Sequence, residues 1–128
     1  MSMKTESPIL VVEAEPVIQD LLEDALHEAG FAVARASSAQ QGIRMLDAPH
    51  ARYCALITDV DPKAALAGWD VARHARRLVP GLPVVYASSR MHEWEQRGVP
   101  GSVLVKKPYA LAEIVDAVSR LLNAKPRG

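Results

Sequence analysis

The chain has 128 residues, 49% of them hydrophobic and 23% charged, with lysine plus arginine matched by aspartate plus glutamate at 15 each. That length can bury a core without metals or disulfides, and the even charge removes any bulk case for nucleic acid or an anionic membrane as partner. The single cysteine, Cys54, cannot form an internal disulfide and suits a reducing compartment, as a buried structural thiol within YCALI.

Residues 1–7 are polar and read as a flexible N-terminus, and 124–128 as a flexible C-terminus. MSMKTESP has no apolar signal core. No apolar run approaches the ~20 residues needed to cross a bilayer, so a cytoplasmic protein is expected. Ile9 to Val12 is a continuous β-branched run, the pattern of a strand buried on both faces. Pro16 suits a first helical turn. Ile18, Leu21, Leu22, Ala25, Leu26 and Ala29 then recur at helical spacing, and Gly30 closes the helix. Phe31 to Ala36 reads as a second strand. Ser37 or Ser38 caps a second helix, with Gln41 in capping-box position to Ser38 and Ile43, Met45 and Leu46 facing inward, until Pro49 stops it.

Cys54 to Thr58 is the third strand, ending at Asp59. The loop VDPKAALAG follows. A third helix runs from Trp69 to Val79, with Val71, Ala72, Ala75 and Leu78 on its buried face, Trp69 half-packed, and Arg73, Arg76 and Arg77 on a solvated one. Val84 to Ala87 is the fourth strand, ending at Ser88. RMHEWEQRG is a weak, short helix at best, in which Trp94 is either core packing or a partner anchor. Ser102 to Val105 is the fifth strand, ending at Lys106 and Lys107. The last helix covers Leu111 to Leu122. His27, His50, His74 and His92 are scattered at spacings that do not suggest a zinc site.

Five short buried strands alternating with amphipathic helices predict an α/β domain with a doubly wound, five-stranded parallel sheet and helices on both faces. Such folds place their sites at the carboxyl ends of the strands. There the sequence puts Glu13 and Glu15 after the first strand, Asp59 and Asp61 after the third, Ser88 after the fourth and Lys107 after the fifth. Clustered acids repel unless a cation joins them. A hard divalent ion, Mg²⁺ above all, would relieve the repulsion, and Lys107 would do so in part. A hydroxyl and an ammonium beside a metal-bound carboxylate form a cradle for a phosphoryl group carried on a carboxylate nucleophile.

The motifs VVEAEP, LITDVDP, VVYASS and VKKPY, in this order and each at a predicted strand end, resemble the receiver domain of bacterial two-component response regulators over residues 8–123. The resemblance implies a flavodoxin-like sheet of order 2-1-3-4-5 and a single-domain receiver that is not an enzyme beyond its own phosphorylation and dephosphorylation. It makes Asp59 the phosphoacceptor, Ser88 the hydroxyl that senses the phosphoryl group, and Lys107 the cation before a commonly cis bond to Pro108. Glu13, Asp59 and the backbone carbonyl of Asp61 would hold the metal. Pro16, Val17, Leu104, Pro108 and Tyr109 would form or adjoin an apolar rim for a histidine kinase or histidine phosphotransfer protein.

Three departures qualify that reading. Ala14 stands where the family usually has a second metal-ligating acid, which makes Mg²⁺ binding weak or absent unless Glu13 or Glu15 compensates. Leu104 replaces an aromatic residue whose rotation reports phosphorylation. The loop after Asp59 is rearranged, with Pro62 one place early. A degenerate receiver acting as a phosphorylation-independent interaction module is therefore the alternative. A small-ligand binder on the same edge finds no Gly-rich phosphate loop to support it. The downstream target and a weak homodimer are left open.

Overall fold

The computed structural model describes residues 7–60 and 67–123. Along the chain run β1 (Ile9–Val12), α1 (Pro16–Glu28), β2 (Val33–Ala36), α2 (Ala39–Asp47), β3 (Ala55–Asp59), α3 (Gly68–Leu78), β4 (Val84–Ser88), α4 (Met91–Arg97), β5 (Val103–Lys106) and α5 (Leu111–Asn123). The strands pair in the order β2-β1-β3-β4-β5, all parallel. This is the doubly wound, flavodoxin-like sheet expected from the alternation of elements. The expected mobile termini, apart from Ser7, and the Asp61 and Pro62 loop lie outside the described residues. Among the described residues no helix is long and apolar enough to cross a membrane.

Side chains on a strand alternate between faces, and here the alternation separates two cores. Ile9, Val11, Ala55, Ile57, Val85, Ala87 and Val105 pack beneath α1 and α5, which contribute Leu22, Leu26, Ile114 and Val118. Leu10, Val12, Leu56, Val84 and Tyr86 face the other way, toward Leu46 of α2 and Trp69, Val71, Ala72 and Ala75 of α3. Each fully buried large aliphatic contributes about 1.5–3 kcal/mol.

Local chemistry sets the helix ends. Pro16 opens α1 where its missing N–H costs nothing. Gly30 follows that helix with φ +96°, a conformation that glycine adopts without a Cβ penalty. The Ser38 hydroxyl accepts the Gln41 N–H at 3.0 Å, while Gln41 Oε1 accepts the Ser37 N–H at 2.6 Å, so α2 is capped much as its sequence predicts.

Some expectations need correction. Phe31 and Ala32 precede β2, and Cys54 precedes β3 and is half-buried rather than buried. Trp69 is 1% exposed, not half-packed. Its ring meets Tyr86 with centroids 4.7 Å apart. Leu78 has the periodicity of the buried face but is 49% exposed, because α3 ends there and the chain turns away. The weak segment RMHEWEQRG does form a helix, of seven residues with none buried. Trp94 is half-buried against the α2–α3 core, its Nε1–H donating to Ser102 Oγ at 3.0 Å.

Candidate functional site

Because the strands run parallel and in near register, their carboxyl ends finish together. Val12 pairs with Ala36 and Thr58, Asp59 with Ala87, and Ser88 with Lys106. The alternation then selects which polar residues share a face. Glu13 continues the Ile9–Val11 side, Asp59 the Ala55–Ile57 side and Lys107 the Val105 side, all toward α1 and α5. These three line one cavity of about 830 Å³, to which Ala14, Glu15 and Ser89 also contribute, with Ile18, Leu21 and Leu111 among its apolar lining.

The Lys107 ammonium is ion-paired with Asp59 Oδ1. The Lys107 N–H donates to the Ser88 carbonyl at 3.1 Å, which fixes the start of the last turn onto β4. The peptide bond from Lys107 to Pro108 is cis. Glu13 is buried, and its Oε2 accepts the Glu15 N–H at 3.1 Å. Burial pushes its carboxyl above the ordinary value. The Asp59 charge adds to that, and the Glu15 N–H and Lys107 oppose it. Tyr109 also lines the cavity, and its phenol is pushed up to about 12 by burial and then by the charges of Glu13 and Asp59.

One buried polar side chain that the sequence reading passed over holds the turn in place. Gln19 Nε2 donates to the Glu13 carbonyl at 2.6 Å and the Ala36 carbonyl at 3.2 Å, within 3.4 Å of Ser37 Oγ. It sits on α1 between Ile18 and Asp20, two places before Leu21, so only its burial distinguishes it from a surface glutamine. Gly68 plays a steric part. A Cβ there would lie 2.5 Å from the Asp59 carbonyl oxygen and 2.9 Å from Thr58 Oγ1.

The structure does not unite every predicted residue. Ser88 is 1% exposed and does not line the cavity; its Oγ accepts the Arg90 N–H at 2.9 Å, ahead of α4. It shares the parity of Val84 and Tyr86, which face α3. Ser89 has the parity of Val85 and Ala87 and lines the cavity instead. Extending the alternation past the end of the strand would have found it. Leu104 likewise faces the α2–α3 core, pairing in register with Tyr86, and takes no part in the cavity rim. Pro108 and Tyr109 line the cavity, and Pro16 and Val17 stand exposed at the first turn of α1, Val17 at 68%. Asp61 lies outside the described residues.

As a cation site the cavity offers two carboxylates, Glu13 and Asp59, and the Ala14 methyl adds no ligand. Among the described residues no group of three or more His, Cys, Asp or Glu is placed to hold a metal. Mg²⁺ keeps much of its water and is often held by one or two carboxylates plus a phosphate. The buried Glu13, its carboxyl raised beside Asp59, is a site that a cation would relieve, so the residues present fit a weakly held, water-rich ion.

No protein-family model and no curated protein sequence matches the chain. Solved structures do. A response regulator receiver protein from Sinorhizobium medicae WSM419 is 37% identical, with a TM-score of 0.86 over 92% of this chain and 95% of that one. A response regulator receiver domain protein from Clostridium thermocellum is 24% identical, with a TM-score of 0.79 over 91% and 94%. The receiver domain of a sensor histidine kinase from Pseudomonas aeruginosa PAO1, with a magnesium ion coordinated in its active site cleft, is 23% identical, with a TM-score of 0.76 over 94% and 100%. The last two support the fold alone.

Proposed function

The chain belongs to the response regulator receiver family, and from that premise we propose that it is a phosphorelay receiver in which Asp59 accepts a phosphoryl group from a histidine kinase or histidine phosphotransfer protein. The observation that carries this reading is the ion pair of Lys107 with Asp59 in a cavity shared with the buried Glu13. An Asp59 carboxylate oxygen attacks the phosphorus of a phosphohistidine. The new P–O bond forms as the P–N bond breaks, and the electron pair leaves on an imidazole that is neutral when its other nitrogen carries a proton. Lys107 turns from the carboxylate to a phosphoryl oxygen. Ser88 serves as hydroxyl donor after leaving the Arg90 amide. Glu13, Asp59 and the Asp61 carbonyl would hold Mg²⁺, weakly because of Ala14, and the ion would offset charge on the phosphoryl oxygens. The exposed Pro16 and Val17 with Pro108 and Tyr109 make a rim for the donor protein, in the cytoplasm. The change in the site then biases affinity for a downstream protein.

The test is direct. The full chain is incubated with Mg²⁺ and acetyl phosphate and its intact mass measured. One added phosphoryl group, absent in Asp59→Asn, is the expected result; no addition to the parent chain overturns the reading. Ala14 specifically favours one other role, a phosphorylation-independent interaction module. That role requires both no phosphoryl gain and no measurable Mg²⁺ binding.

A further inference from the structure

We infer that the end of the sheet opposite the Asp59 cavity is a docking site for an acidic segment of another protein, anchored by one bulky apolar side chain. A hollow of about 190 Å³ lies there, formed by Leu46 from α2, Ala51 and Tyr53 ahead of β3, Leu78 and Val79 at the end of α3, and Leu82 ahead of β4. It is smaller than the ~300 Å³ at which small-molecule pockets begin, and the side chains that line it are apolar apart from the Tyr53 hydroxyl. That is the room for a single anchor residue, not for a metabolite. Leu78 and Val79 are 49% and 45% exposed, so its rim is apolar surface that a partner would remove from water.

The charge around the hollow fixes the chemistry of the partner. Arg44 on the last turn of α2, Arg52 between Ala51 and Tyr53, and Arg77 beside Leu78 are all exposed. None of the three pairs with a carboxylate among the described residues. The acids of these helices are already engaged: Asp47 meets His74 Nε2 at 2.7 Å, and Asp70 meets Arg73 at 2.7 Å. Arg76 is engaged differently, donating to the carbonyls of Leu82 and Pro100 at 2.7 Å each, which holds the chain beside the hollow in place. Arg77 also lies 3.4 Å from His74 Nδ1, which leaves its charge unmatched. Three guanidinium groups that meet no carboxylate, within two places in sequence of the residues of a one-residue hollow, complement a segment with carboxylates on either side of a leucine-, methionine- or phenylalanine-sized residue. The surface is independent of Asp59 chemistry and lies at the other end of the strands, so both sites can be occupied together.

Selection of a random peptide library on the purified full chain tests this without presuming the partner. The enriched peptides are expected to carry acids around one bulky apolar residue. Their binding, followed by fluorescence polarisation, should weaken by about tenfold or more in Leu78→Asp and in the double variant Arg52→Glu, Arg77→Glu. Both variants change exposed side chains, and circular dichroism confirms that each is folded. Enrichment of peptides without acids, no enrichment, or binding indifferent to both variants overturns the proposal. So does a concentration-dependent dimer abolished by Leu78→Asp, which would give the face to a second copy. Oligonucleotide binding lost in the arginine variant but kept in Leu78→Asp would give it to nucleic acid and likewise overturn it.

Discussion

Ala14 sets a methyl group in the wall of a cavity that already contains a buried glutamate and an ion-paired aspartate. Ala14→Asp is expected to tighten Mg²⁺ binding by about tenfold, or about 1.4 kcal/mol, measured by titration calorimetry; unchanged affinity would place residue 14 outside the coordination sphere. Glu13 makes a second prediction. Its folded pKa lies above the 4.5 of a free glutamate. As pH rises from about that value through the raised one, the unfolded chain holds fewer protons than the folded chain, so this group lowers stability, fully so above the folded pKa. Glu13→Gln should therefore be more stable than the parent to urea at neutral pH, with the gap closing near pH 4. At this scale the sequence was readable where a charged residue stood within two places of the end of an apolar run, as at Glu13, Asp59 and Lys107. It did not foretell that Ser88 would be turned to the Arg90 amide with Ser89 lining the cavity, because counting to the end of a strand ignores which face the side chain takes. Gln19 left no signal, since its role comes from carbonyls brought together only by the fold.

At the scale of elements, α3 shows how closely backbone approach constrains the site. Its first residue, Gly68, packs against the carbonyl of Asp59, and Trp69 is pressed against Tyr86. Gly68→Ala has no space for its methyl without moving the end of β3, and should cost about 1–3 kcal/mol in chemical denaturation. Wild-type stability in that variant would show that the strand end yields freely. The central strands were plain in the sequence because they are short, continuous apolar runs. The edges were less so. Phe31, Ala32 and Cys54 extend such runs but stand just ahead of β2 and β3, where the Ala32 carbonyl still accepts the Ile9 N–H at 2.8 Å and the Cys54 N–H donates to the Pro8 carbonyl at 3.0 Å, and Leu78 keeps the helical period past the point where α3 has a core to face. Those are failures of local pattern to record where neighbouring elements stop.

Over the whole molecule, equal numbers of acids and bases conceal a separation. Helix α1 carries Asp20, Glu23, Asp24 and Glu28 and no lysine or arginine, whereas α3, on the opposite face of the sheet, carries Arg73, Arg76 and Arg77 against Asp70 alone. At neutral pH and low salt the protein should be retained weakly by both anion and cation exchangers, and leave each as salt shortens the screening length toward ~10 Å. Passage straight through both columns would show the separation too slight to matter. The order of elements and the strand ends were legible, but this polarity was not, because composition averages over faces that only the winding of the chain keeps apart. The same two-residue rhythm that sorts the faces also makes the molecule intolerant of frame errors within its strands. Deleting one residue from Ile9–Val12 would present Ala14 where Glu13 now stands and turn the acid to the other side, whereas a loop could lose a residue without exchanging one face for the other.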